Sequence, residues 1–345
     1  MSTADVTKAT RELFDRSLVD QVHMRTPFVE ALQRNGQVTS TFKGGKYIEK
    51  LIDTDTIESL VQEYSNNSAL TDAKKTTLNK PRFTWKYAQL PLRYDLDEYI
   101  QNAGAGTEEQ LLDLPEHLVK KGQDALKLWL CAKIFNSGST TGVADGATSF
   151  QSLVSALDVD VTYGTITRTA ASNVADYWQG ADPAGLWSGI TAGTQATATN
   201  FTISNLRKWV HESDIAHHMD GEDDLQVLCC ATLFNKMRAE MESKVIYKPG
   251  LKQSQGINSM ILDGGIEIVS VPYLQTTTTM KTWVFILNLR HWEMRMSNKR
   301  NFMQTGFKWQ GENSNGFDFW LARVMMAGNF FCWKPNSSMW LSNVS

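Results

Sequence analysis

The chain has 345 residues, 42% apolar and 21% charged, with 11 Trp, 15 Phe and 9 Tyr. This composition excludes a chain disordered throughout, and the length exceeds that at which one hydrophobic core usually stops growing. A formal net charge of -3 and a pI near 6.1 give no global basic field to drive tight, non-specific binding to phosphate backbones.

The four cysteines, Cys131, Cys229, Cys230 and Cys332, stand in no CxxC or His-spaced pattern that would hold zinc, and read as buried free thiols. The N-terminal stretch MSTADVTKATRELFDRSLVD has early charges and no apolar h-region. No run approaches the ~18 consecutive apolar residues of a membrane-spanning helix. A soluble product made in the cytoplasm, with no membrane partner, is therefore expected.

In chain order, apolar positions from Leu13 to Leu32 predict a helical arm interrupted near Pro27, with Gly36 as its stop. The stretch 46–53 is strand-compatible, whereas Ile57, Leu60, Val61 and Tyr64 equally suit a short helix, and both readings stand. A polar run, SNNSALTDAKKTTLNKP, separates these from a return strand. In that strand Phe83, Trp85 and Tyr87 alternate in one phase and Leu90, Leu92, Tyr94 and Leu96 in the other, which predicts a bulge near Ala88 and Gln89.

Thr107 and Gln110 form a capping box for a long helix that ends near Asn136, is kinked by Pro115, and shows Leu111, Leu114, Leu118, Ala125, Trp129 and Ala132 on one face. Residues 137–200 read as loops around two islands, FQSLVSAL and ASNVADYWQG. Mixed elements follow: a helix at 202–213, a strand LQVLCC, a helix ATLFNKMRAEMES, and strands INSMIL and IEIVSV around a turn at Asp263, Gly264 and Gly265. The strand TWVFILNL and a β-rich tail with FKWQ, FWLARVMMAG and FFCWKP complete the chain.

No Rossmann, P-loop or GxSxG pattern is present. The cluster AHHMDGEDDLQV brings His217, His218 and Asp220 together as a candidate divalent-ion site for a hydrolase. Adjacent histidines lack the i, i+4 spacing of helical zinc sites, however, so an acidic exposed loop is the stronger reading. No catalytic residue, cofactor or metal is expected. The basic run Lys74, Lys75, Lys80, Arg82 and Lys86 reads as either a solubilising tip or a charged contact to a partner. Glu108, Glu109, Asp113 and Glu116 are accounted for by the positive end of the helix they begin.

Taken in order, KGGKYIEKLI, FTWKYAQLPLRYDLDEYIQNAG, KGQDALKLWLCAKIFNSGST, YGTITRTAASNVADYW, TISNLRKWV, GGIEIVSVPYL, FILNLRHWEMRM and AGNFFCW resemble the major capsid proteins of tailed bacteriophages, which share the Hong Kong 97 fold. Gly164, Ile166 and Arg168 keep a Gly-Ile-Asp-Arg pattern of one branch, with Thr165 and Thr167 as departures. The resemblance implies an α+β fold with an N-terminal arm at 1–40, an extended loop at 41–100, a peripheral domain with a spine helix at 101–164, an axial domain at 165–300, and peripheral return strands at 301–345. With only about 40 residues before the loop, a separate scaffolding protein or none is expected.

The function implied is structural and not enzymatic: pentamers and hexamers of the chain itself form an icosahedral shell around packaged double-stranded DNA, bound without sequence specificity. A portal protein would be its partner, with or without separate scaffolding and decoration proteins, with the virion capsid as its place and the host cytoplasm as the site of assembly. Candidate inter-subunit contacts are Tyr47, Ile48, Lys74, Lys75, Lys80, Arg82, Phe83 and Trp85 on the loop, facing Glu108, Glu109, Asp113 and Glu116. The alternatives are an encapsulin-like nanocompartment shell protein and a metal-dependent hydrolase using His217, His218 and Asp220.

Overall fold

The computed structural model describes residues 27–42, 45–53, 57, 60–64, 74, 76–95, 114–135, 149–158, 162–168, 178, 180–181, 190–191, 194–195, 200–211, 225–244, 259–261, 266–276, 278, 280–310, 319–342 and 344. Helix α1 (Pro27–Arg34) begins at the proline expected to interrupt a longer helix. At the first helical position the missing amide proton has no partner to lose, and the fixed φ favours the turn. The helix ends as a Schellman motif. Gln37 N–H donates to the Leu32 carbonyl at 2.9 Å and Gly36 N–H to that of Gln33 at 3.1 Å, with Gly36 at φ +69°.

Strand β1 (Val38–Phe42) follows. Strands β2 (Tyr47–Glu49), β3 (Ile52–Asp53), β4 (Leu78–Asn79) and β5 (Arg82–Thr84) form a two-stranded ribbon, which runs on into β6 (Lys86–Asp95). In β5 and β6 the inward phase changes at Trp85 and Lys86, earlier than the expected bulge: Lys86 is buried and Tyr87 points outward. Helix α2 (Leu114–Phe135) carries Pro115 in its first turn, where proline is tolerated, so a kink there is not needed. Residues 107–113 lie outside the described residues. The buried stripe of α2 is Gly122, Leu126, Leu130, Cys131, Ile134 and Phe135, which corrects the expected face: Ala125 and Trp129 are exposed, one residue and ~100° round the helix.

The remaining elements are α3 (Leu153–Leu157), a short hairpin β7 (Ile190–Thr191) and β8 (Thr194–Gln195), α4 (Ile203–His211), β9 (Leu225–Cys229), α5 (Ala231–Lys244), β10 (Ser259–Ile261), β11 (Glu267–Ser270), β12 (Val284–Asn288), β13 (Trp292–Ser297), β14 (Met303–Gln304), β15 (Lys308–Trp309), β16 (Phe319–Cys332) and β17 (Met339–Leu341). The chain divides into two compact units. The larger is built from Arg25–Ala88, Lys127–Asn301 and Met326–Ser345, and the smaller includes Gln89–Leu126 and Phe302–Met325.

In the larger unit a five-stranded sheet runs in the order β10-β11-β9-β12-β17. Every residue of β9 and β12 is buried. Their unbroken apolar runs, LQVLC and VFILN, are therefore those of central strands covered on both faces. Strands β10 and β11 pair antiparallel as the expected hairpin, and β17, near the chain's end, joins this sheet through β12. Helix α5 packs on β11 and α4 packs on α5. At the start of α4, Thr202 Oγ1 accepts from Asn205 N–H at 3.2 Å and the Glu240 carboxylate accepts from Ile203 N–H at 2.9 Å, satisfying two of the free amides.

A second sheet pairs β1 parallel to β13 and β13 antiparallel to the end of β16. An aromatic column fills the core: Phe28 lies 5.7 Å from Phe330 and 6.2 Å from Phe135, and Phe330 stacks on Trp292 at 5.0 Å. In the smaller unit, β14 and β15 pair with the first half of β16, and Tyr94 of β6 meets Phe307 edge-on at 5.0 Å. Among the described residues no helix is long and apolar enough to cross a membrane.

Candidate subunit interface

The ribbon keeps one register along its length, with Ile48 opposite Phe83 and Ile52 opposite Asn79. Lys50 therefore falls opposite Pro81, which has no amide proton to donate. That is the physical reason the ladder breaks between β2/β5 and β3/β4. Alternation then assigns two faces. One carries Ile48, Pro81 and Phe83, all buried. The other carries Tyr47, Glu49, Leu51, Asp53, Leu78, Lys80, Arg82 and Thr84.

The inner face is fixed to the chain's own core. Phe83 stacks on Phe331 at 5.0 Å and meets Tyr163 edge-on at 5.1 Å. The Arg82 amide donates to the Gly164 carbonyl at 2.8 Å, and Asn329 Nδ2 donates to the Thr84 carbonyl at 3.0 Å. The segment YGTITR makes this junction. Tyr163 and Ile166 bridge across a turn in which Gly164 (φ +58°) and Thr165 (φ +69°) are both left-handed, as in a type I′ hairpin. A Cβ on Gly164 would sit 2.9 Å from both Phe83 and Pro81, so only glycine lets the ribbon base approach.

Arg168, fully buried, closes the junction from the other side. Its guanidinium donates to the carbonyls of Ser155 at 3.2 Å, Ala156 at 2.8 Å and Asp158, at the C-terminal end of α3, and lies 4.6 Å from the Tyr163 ring. Burial pulls its pKa down to about 10, which leaves it charged at neutral pH and suited to the negative end of a helix. The Tyr163 hydroxyl accepts from the Cys332 amide at 2.7 Å, and Trp178 Nε1 donates to the Tyr163 carbonyl at 3.0 Å.

The outer face combines charge with bare apolar surface. Lys80 and Arg82 both pair with Glu49, the latter at 3.2 Å. The hydrogen bond from Lys80, with the charges of Lys80 and Arg82, holds the Glu49 carboxyl below its ordinary value. Arg82 also lies over the Tyr47 ring at 5.9 Å. Beyond this cluster large apolar side chains stand in solvent: Leu51 is 60% exposed, Ile57 62%, Val61 78%, Tyr64 72% and Leu78 54%. The Leu60 amide donates to the Ile57 carbonyl at 2.9 Å.

Of the residues singled out from sequence, Ile48 and Phe83 are a correction: both are buried in the chain's own core and leave no surface for a neighbour. Lys80 and Arg82 are held by Glu49 of the same ribbon. Tyr47 and Trp85 are half-buried, and Trp85 donates to the Gly45 carbonyl at 3.0 Å. Lys74 is exposed. Lys75, Glu108, Glu109 and Asp113, the side chain of Glu116, and the cluster of His217, His218 and Asp220 lie outside the described residues. Sequence reasoning passed over Leu51 and Leu78 as contact residues. Their signal was the outward phase of the alternation that buries Ile48 and Phe83.

No protein-family model and no curated sequence matches the chain. Solved structures do match along its whole length. The cyanophage A-1(L) capsid subunit superposes with a TM-score of 0.71 at 13% identity, covering 100% of this chain and 99% of that one. The capsid of the native GTA particle gives 0.62 at 8% identity, covering 99% and 98%. The SrpI encapsulin from Synechococcus elongatus gives 0.51 at 10% identity, covering 100% and 96%. From end to end, the chain has the α+β fold of phage capsid subunits.

Proposed function

We propose that this chain is a major capsid protein whose pentamers and hexamers close into an icosahedral shell around double-stranded DNA in a virion. The observation that carries the reading is the ribbon: within a fold of capsid-subunit type it is anchored through one face and presents uncovered Leu, Ile, Val and Tyr side chains on the rest. Such a projection is a liability in a monomer and an asset where a neighbouring copy covers it. Repeated head-to-tail around closed rings, modest contacts of this kind add up through multivalency. In this reading the ribbon is the extended loop of the Hong Kong 97 fold, α2 its spine helix and the β9-centred sheet the axial domain. A portal and a separate scaffolding or decoration protein would then be its partners in the host cytoplasm.

Negative-stain electron microscopy and light scattering of the protein, alone and co-expressed with its genetic neighbours, test this. Closed shells, or rings of five and six, are the expected result. A monomer or dimer under every condition overturns it. The encapsulin match keeps a second reading in view, a nanocompartment around a protein cargo. Shells purified from the native source should contain nuclease-protected duplex DNA on the first reading and protein cargo on the second.

A further inference from the structure

At the ribbon's base, Gly45, Trp85, Tyr87, Ser297, Lys299 and Arg300 line a groove of about 440 Å³, within the ~300–1,000 Å³ usual for ligand clefts. The Trp85 ring is oriented by its Nε1, which donates to the Gly45 carbonyl at 3.0 Å. Tyr87 is 65% exposed, and the Arg300 guanidinium stands 5.8 Å from its ring centroid. The turn that bears both cations is pinned by its backbone: Arg300 N–H donates to the Ser297 carbonyl at 3.0 Å, and its own carbonyl accepts from Ala327 at 2.8 Å. Every polar side chain of this lining can donate a hydrogen bond. Among the described residues no carboxylate lines the groove and neither cation has an ion-pair partner, whereas Lys80, Arg82 and Arg93 along the same strands each hold a carboxylate.

We propose that this groove binds single-stranded nucleic acid, with an unpaired base against the Trp85 and Tyr87 rings and its flanking phosphates on Lys299 and Arg300. The inference stands on the groove alone and does not need the shell reading. Every base has a π-face, so aromatic side chains beside cations hold a single strand whatever its sequence. The planar fork of Arg300 matches two oxygens of a phosphate, and Lys299 adds a point charge. Duplex DNA would satisfy the cations through its phosphates but leave the rings unused, since its bases are stacked inside. An acidic peptide would meet the cations too, but its carboxylates are disfavoured over the negative faces of the rings. With a net charge of -3 on the whole chain, the attraction is local to this groove and not a property of the surface at large.

A fluorescein-labelled oligothymidylate of about eight nucleotides, titrated with the unassembled full-length chain and followed by anisotropy, tests this. It should bind at low salt, with log K falling against log salt at a slope of about -1.4 for two phosphate contacts. Lys299→Gln or Arg300→Gln should halve that slope. Tyr87→Ala should weaken binding about tenfold or more, while Tyr87→Phe, which keeps the ring, should preserve it. These three positions are exposed, so thermal unfolding of the variants should match the parent. Lys236→Gln on the exposed face of α5 should leave binding unchanged. A duplex of the same length that binds as tightly and ignores Tyr87→Ala would reduce the groove to a patch of charge and overturn the proposal. So would polyglutamate that displaces the strand at equal charge, or thymidine monophosphate that displaces it at equal concentration; the first would make the groove a dock for an acidic segment and the second a site for a free nucleotide. Absence of binding at low salt sinks the inference and leaves the shell reading intact.

Discussion

Replacing Leu51 and Leu78 together by serine separates a surface that a neighbour covers from one that merely stands in water. The two residues lie on the outer face of the ribbon, diagonal to each other across the strands, 60% and 54% exposed. Fully burying a leucine stabilises by roughly 1.5–3 kcal/mol. Covering the exposed part of both is therefore worth about 2–3 kcal/mol per subunit contact. Each 1.4 kcal/mol is tenfold in an equilibrium constant, so the concentration at which shells form should rise about 30- to 140-fold. The unassembled chain should hardly notice, because substitutions at exposed positions stay within about 0.5 kcal/mol. Light scattering against concentration measures the first quantity and thermal unfolding of the unassembled chain the second. An unchanged assembly threshold, or a fall of several degrees in the Tm of the unassembled chain, would refute the reasoning.

Arg168→Met should cost about 3–5 kcal/mol, because three carbonyls at the end of α3 lose their donors in a dry site. Arg168→Lys should rescue little, since one ammonium cannot span them; soluble yield and the urea midpoint report both. Glu293 offers a pH test. Burial pushes its carboxyl up, but hydrogen bonds from Arg295 at 2.6 Å and Trp333 at 2.7 Å, and the Arg295 charge, hold it on balance below its ordinary value. The stability this confers is present above the unfolded carboxylate range, near pH 4 and higher, and is lost as pH falls through the depressed value. Glu293→Gln should accordingly be less stable than the parent at neutral pH and flatten the acid limb of Tm against pH. The cysteines should resist alkylation at pH 8 in the folded chain and react only after denaturation, because all four are buried and burial pushes Cys131 and Cys332 up to about 12. Rapid labelling of the native protein would contradict this.

What the sequence determined by itself is what depends on neighbours along the chain. Gly36 was readable as a helix stop because a left-handed C-cap needs only local backbone freedom. The runs LQVLC and VFILN were readable as strands because continuous apolar character signals cover on both faces. The order of these elements was enough to suggest the capsid fold.

Tertiary structure decided what depends on distant partners. The buried stripe of α2 is rotated from the expected face because Trp129 meets Phe150 edge-on at 5.6 Å and stays half-exposed, while Leu130 and Ile134 turn into the core. Arg168 was legible only as part of a Gly-Ile-Asp-Arg resemblance, and the three carbonyls it holds come together only in the fold. Lys80 and Arg82 looked available to a partner, yet the ribbon's register puts Glu49 opposite Arg82 and diagonal to Lys80. That register also turns Leu51 and Leu78 outward, and the pairing of strands 30 residues apart fixes it. An isolated segment cannot encode it, because shifting a strand by one residue exchanges every inward side chain for an outward one.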